Sequence, residues 1–116
     1  MHAPLLNAPY GAGSGVTLYA SFQVVFTNVP LAGGQYFAHF GSTSFRGRIF
    51  ATTENAGAGA LRLGIANAAT TQSAQVPIDL SVGATNTVVI RYRVDPPEST
   101  LWVNPGSESD AGATAT

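Results

Sequence analysis

The sequence contains no cysteine and no lysine, and charged residues make up only 9% of its 116 positions. Without cysteine the chain has no disulfide, no thiolate metal ligand and no cysteine nucleophile. Its basic charge comes from five arginines and its net charge is -1. Because nucleic acids and anionic membranes are bound through concentrated basic patches, we expect neither partner. No apolar run approaches the about 18 residues that a membrane-spanning helix needs, so membrane insertion is not expected.

The composition indicates one folded domain. Apolar residues make up 45% of the chain, which is too many for a segment disordered by composition, and the length suits a single domain. We predict a flexible lead-in over residues 1–15, a folded domain over 16–105 and a flexible tail over 106–116. The lead-in has neither the basic start nor the apolar core of a signal peptide, so the signal of a secreted parent would lie outside this chain.

Apolar and polar residues alternate along most of the domain. The longest example is "GVTLYASFQVVFTNVP", where Val16, Phe22 and Phe26 share one face and Tyr19 and Ser21 the other. This period of two predicts a half-buried strand. Further strands are predicted at "QYFAHFG", "SFRGRIFAT", "ALRLGIA", "VPIDL", "TNTVVIRYRV" and "STLWV", and none after Val103. With about seven strands and no helical stripe, the pattern predicts an all-β antiparallel sandwich or barrel.

The strand order also resembles a known family. The segments "YFAHFG", "LRLGIAN" and "VVIRYRVD…LWVNP", within residues 17–105, are similar to the LamG-like, concanavalin A-like jelly-roll modules of exported bacterial proteins. The resemblance implies two curved antiparallel sheets packed face to face, and an extracellular or cell-surface location. Members of the family are usually longer, so the chain looks truncated or minimal. Edge strands left bare by a truncation favour self-association into a homo-oligomer.

The acidic residues do not form a catalytic pattern. A jelly-roll glycoside hydrolase needs two carboxylates across a cleft, and no E-x-D-x-x-E type of spacing occurs. Glu54, Asp95 and Glu98 fall in predicted turns, and Glu108 and Asp110 in the predicted tail. The sequence therefore predicts no catalytic residue and no enzymatic activity.

No metal-binding pattern is present either. The two histidines, His2 and His39, are far apart in the chain, which excludes a zinc spacing built on neighbouring histidines. No cofactor is expected. Calcium remains an open alternative because LamG-like modules sometimes bind it through loop oxygens, here Asn55, Asn67, Asp79 and Asp95.

Five residues are candidates for ligand binding: Tyr19, Tyr36, His39, Arg46 and Arg48. Aromatic rings and guanidinium groups are the side chains through which a sheet face holds a glycan or a protein. By strict alternation His39 is placed opposite Tyr36, and Phe45 with the apolar face of its strand. Arg46 and Arg48 share one face, as an anion site or as solvated side chains.

Trp102 presents a separate choice between an exposed sugar platform and a buried side chain. Its neighbours Leu101 and Val103 are apolar, so both faces of the strand are apolar, and such strands are usually central or covered. We predict that Trp102 is buried. The function expected from sequence is a non-catalytic binding or structural module of an exported protein, with a glycan or protein ligand. A self-assembling structural protein and a fragment of a carbohydrate-active enzyme remain alternatives.

Overall fold

The computed structural model describes residues 6, 10, 13–41 and 43–116, so most of the predicted lead-in lies outside the described residues. The described residues form nine strands: β1 Thr17–Val25, β2 Gln35–Phe40, β3 Arg46–Thr52, β4 Ala60–Ala66, β5 Ala74–Gln75, β6 Leu80–Ser81, β7 Thr85–Arg93, β8 Glu98–Val103 and β9 Ala113–Ala115. Nowhere in this part of the chain is there a helix with the length and apolarity to cross a membrane.

The strands build two antiparallel sheets. One has the order β1-β7-β8-β9, and the other has the order β2-β3-β4-β5 with β6 also paired to β4. Strands β4 and β5 lie against β9, whereas β1 and β2 are the edges at the opposite side of the molecule. The prediction of an all-β protein with two packed antiparallel sheets is confirmed.

The alternation predicted for β1 and β7 is present in the structure. In β1 the even-numbered residues are half-buried and the odd-numbered ones exposed, and in β7 Val88 and Ile90 are buried. The apolar faces of the two sheets meet in one core. Its buried members are Ile49, Ala51, Leu61, Leu63, Ile65, Val76, Leu80, Val88, Ile90, Leu101, Val103, Ala113 and Ala115.

One polar bridge crosses this core. The hydroxyl of Ser99 on β8 donates to Oδ1 of Asn67, just after β4, at 2.9 Å, and both side chains are buried. The carbonyl of Asn67 accepts a hydrogen bond from the amide of Gly47 at 2.8 Å. Asn67 thus bonds polar groups of both sheets, and an apolar side chain at this position would leave the buried hydroxyl of Ser99 without its acceptor.

The C-terminal segment covers the outer face of the four-stranded sheet. Leu101 and Val103 belong to the inter-sheet core, so Trp102 between them points outward. It is nevertheless only 4% exposed, because its indole nitrogen donates to the carbonyl of Asp110 at 3.0 Å and the guanidinium of Arg91 lies over its ring. The prediction that Trp102 is buried is confirmed. The side chain is buried on the outer face of the four-stranded sheet, under the C-terminal segment, and not in the core between the sheets.

Two sequence-based assignments at this end of the molecule are wrong. No strand was expected after Val103, yet residues Ala113–Ala115 of the predicted tail pair with β8 as β9. The buried residues of β9 are two alanines, whose small side chains give the sequence no clear alternation of apolar and polar residues. Glu98 was placed in a turn and instead begins β8 opposite Arg93.

Candidate functional site

An irregularity in β2 brings Tyr36 and His39 to the same face of the sheet. Tyr36 pairs with Phe50 and Ala38 with Ile49, so the register shifts by one residue at Phe37. Such a bulge interrupts the alternation of side chains between the two faces. Ala38 packs on the core, and the ring centroids of Tyr36 and His39 lie 5.8 Å apart. The prediction that these two residues lie on opposite faces is therefore wrong.

Phe45 completes a group of three rings. It stacks on His39 with a centroid distance of 3.8 Å and an interplanar angle of 20°, and Tyr36 meets its edge at 6.2 Å. The alternation pattern predicts that Phe45 faces the core. Phe45 precedes the first residue of β3, however, so the alternation of the strand does not fix the direction of its side chain. We call Tyr36, His39, Phe45 and the adjacent Arg48 the aromatic face.

The guanidinium of Arg48 lies close to two of these rings. Its central carbon lies 5.1 Å from the centroid of Tyr36 and 5.5 Å from that of Phe45. Its Nη1 donates to the carbonyl of Ala69 at 2.9 Å, which anchors the side chain from a second direction. A cation over a ring is attracted to the π electrons, and the planar guanidinium stacks particularly well.

The aromatic face carries positive charge without a carboxylate beside it. In the described part of the chain, the ion pairs involve Arg62, Arg91 and Arg93, whereas Arg46 and Arg48 bond only to backbone carbonyls. Tyr36 is 40% exposed and His39 is also exposed. Within the described residues, this surface therefore offers partly open rings, an imidazole and guanidinium donors that form no salt bridge.

Tyr19, the remaining candidate, lies on the other sheet. Its hydroxyl donates to the carboxylate of Glu108 at 3.0 Å, and Arg91 donates to the same oxygen at 2.7 Å. Arg91 also bonds Glu98 at 3.3 Å. These contacts fasten the C-terminal segment over Trp102, so the geometry gives Tyr19 a structural role away from the aromatic face.

Three carboxyl groups, those of Glu108, Asp110 and Asp79, have lowered pKa values. Hydrogen bonds from the Tyr19 hydroxyl and then Arg91 keep the pKa of Glu108 below its ordinary value. The backbone amides of Gly106 and Ser107 lower the pKa of Asp110. In the same way, hydrogen bonds from Arg62 and from the Gly57 amide lower the pKa of Asp79.

These shifts predict that acid weakens the fold. A carboxyl whose pKa is lower in the folded than in the unfolded chain stabilises the fold above its unfolded value of about 4, and this contribution is lost as the pH falls through the folded pKa. We expect the thermal midpoint to fall between about pH 5 and about pH 3. The double variant Glu108→Gln, Asp110→Asn should show a shallower fall. Equal slopes in both proteins would contradict the assignment.

The four oxygen-bearing residues considered for calcium have separate partners. Asp79 binds Arg62, Asn55 donates to Gln75, and Asp95 accepts from the amide of Gly13. Asn67 is buried in the bridge to Ser99. Within the described residues, no three histidine or acidic side chains come together in a group that could hold a metal ion.

Comparisons with family models, with curated proteins and with solved structures find no match to this chain.

Proposed function

We propose that this chain is a non-catalytic β-sandwich module that binds a glycan on its aromatic face. The observation that supports this most strongly is the placement of the Arg48 guanidinium beside the rings of Tyr36 and Phe45, with no salt-bridge partner among the described residues. Sugar rings pack their C–H faces against aromatic side chains and present hydroxyl groups to donors at the rim. The aromatic face supplies both kinds of contact within one patch.

The positive charge of the arginines in β3 favours acidic glycans over neutral ones. Arg46 and Arg48 both lie in β3, and neither joins the ion pairs of the described residues. A guanidinium forms its strongest hydrogen bonds with carboxylates and with sulfate-like groups. The preferred ligand is therefore a glycan that carries carboxylate or sulfate groups.

The absence of catalysis is part of the same proposal. A glycoside hydrolase needs one carboxylic acid with a raised pKa facing a second carboxylate. Hydrogen bonds instead lower the pKa of Glu108, Asp79 and Asp110. These groups are engaged in holding loops, which supports a binding module over a fragment of a carbohydrate-active enzyme.

The finer fold assignment and the location belong to the proposal as well. The two antiparallel sheets, with β1 paired to the distant β7, agree with a LamG-like, concanavalin A-like jelly roll. Modules of that kind act in exported proteins, so we place the chain outside the cell or at its surface.

A titration followed by ¹H–¹⁵N NMR tests the binding site. We expect an oligogalacturonate to shift the amides of β2 and β3, and a neutral oligoglucan of equal length to bind more weakly. Tyr36→Ala should weaken binding by about tenfold, since it removes the ring that both Arg48 and the sugar would contact.

Tyr19→Ala is the matched control, because it removes an exposed tyrosine from the other sheet and should leave the affinity unchanged. Amide shifts confined to the four-stranded sheet would refute the site. No shift with either oligosaccharide would refute this ligand class.

A further inference from the structure

The sheet edges differ in how well they resist pairing with another strand. Among the described residues, β5 and β9 are two and three residues long, and β2 is interrupted by two register shifts. Short length and bulges are known protections of a sheet edge. Strand β1 has neither: it pairs with β7 in unbroken register over nine residues. It also contains no charged residue and no proline.

The free side of β1 has a defined set of hydrogen-bonding groups. The carbonyls of Val16 and Phe26 accept from Val94 and Gly83, so even-numbered residues point their backbone groups toward β7. In an antiparallel ladder the intervening residues point theirs the other way. The backbone groups directed away from the sheet are those of Thr17, Tyr19, Ser21, Gln23 and Val25.

The core beneath β1 is also incompletely covered. Phe22, Val24 and Phe26 pack against the core cluster but stay only half-buried. Phe37, at the bulge in β2, meets the rings of Phe22 and Phe26 edge-on and is 41% exposed. Beside them lies a groove of about 360 Å³, which Phe26, Phe37 and Leu31 help to line. A further strand beside β1 would cover these side chains.

We infer that a second copy of this chain supplies that strand, with β1 pairing antiparallel to β1 of the partner about a two-fold axis at Ser21. In this register Ser21 faces its own counterpart and Tyr19 faces Gln23, and these pairs use the outward backbone groups. The core-facing pairs are then Ala20 with Phe22 and Leu18 with Val24. Each places a smaller side chain against a larger one, and every residue keeps its present face.

The strand itself favours a second copy as the occupant. A two-fold axis brings like residues together, which is unfavourable for a charged strand and neutral for β1. The pairing also uses the one long regular edge of each copy in the described part of the chain, so it closes at a dimer instead of growing into a fibre. The dimer would join the two four-stranded sheets into one continuous sheet.

Light scattering coupled to size-exclusion chromatography tests the dimer across a concentration series. We expect a dimer for the wild-type chain. Ser21→Lys should raise its dissociation constant by at least about 100-fold, because two like charges would meet on the axis. Ser21 is exposed, so the fold should be retained, as checked by circular dichroism. Ser81→Lys is the matched control, since it adds the same charge at an exposed position of β6, and should remain dimeric.

Hydrogen exchange shows which strand forms the contact. The amides of Tyr19, Ser21 and Gln23 should exchange slowly in the wild-type dimer and quickly in Ser21→Lys. A wild-type chain that stays monomeric at every concentration overturns the inference. A Ser21→Lys chain as dimeric as the wild type overturns it too. Slow exchange of these amides in a monomer would show that the same chain covers its own edge, which also contradicts the proposal.

Discussion

Replacing Trp102 by alanine is expected to lower the free energy of unfolding by about 3–5 kcal/mol. A domain of this size is commonly stable by about 5–15 kcal/mol, so the variant would be close to unfolding. The effect is large because the ring is almost fully buried, packs opposite Val89 and beneath Arg91, and donates to Asp110. Urea unfolding followed by far-UV circular dichroism measures it, since the substitution removes the only tryptophan.

The same substitution should loosen the C-terminal segment before the rest of the sandwich. The indole joins β8 to the carbonyl of Asp110, and Gly112 lies close enough that a Cβ there would come within 2.9 Å of the indole nitrogen. Without the ring, β9 keeps its pairing with β8, but the segment that leads into β9 loses its contact with the side chain of residue 102. We expect faster hydrogen exchange at Ala113 and Ala115 than at the β4 core residues.

Trp102→Phe separates packing from hydrogen bonding. Phenylalanine retains most of the apolar contact but cannot donate to Asp110, and a single hydrogen bond contributes about 0.5–1.5 kcal/mol. This variant should therefore cost much less than alanine. An alanine variant that loses under about 1 kcal/mol would mean that the ring is not packed, and Trp102 would again be a candidate for sugar binding.

The strands that the sequence predicts well are those that bury one face. In β1 and β7 large apolar residues alternate with polar ones, and the burial of each side chain alternates in the same way. In β9 the buried residues are two alanines in a strand of three residues. So short a strand has no period of its own, and it forms because β8 supplies a partner and Trp102 anchors the preceding loop.

The aromatic face was only partly predictable for a related reason. Tyr36, His39 and Arg48 were selected as residue types suited to ligand binding, and they do come together. Their common face depends on the bulge at Phe37, which follows from pairing with β3 and from the contacts of Phe37 with Phe22 and Phe26. These contacts are distant in sequence, so strict alternation placed Tyr36 and His39 on opposite faces.

Replacing Gly47 by valine is expected to cost about 3–5 kcal/mol, close to the effect at Trp102. Gly47 lies in β3 with φ at 56°, a conformation that is strained for any residue with a Cβ and most of all for a β-branched one. A Cβ at this position would also come within 2.9 Å of the Ile90 side chain and 3.3 Å of the Ser99 hydroxyl. The new methyl groups would press on the core and on the bridge from Ser99 to Asn67. The free energy of unfolding in urea provides the measurement.

Gly83→Val isolates the steric part of this cost. Gly83 also has a positive φ, 84°, but a Cβ there meets no atom within 4 Å. Both variants carry the backbone strain, about 1–3 kcal/mol, and only Gly47→Val adds overpacking of the core. The difference between the two therefore measures how closely β3 approaches β7 and β8 at this point. If the free energy of unfolding falls equally in both variants, the backbone conformation alone requires glycine at position 47. The close contact between the sheets would then add nothing to that requirement.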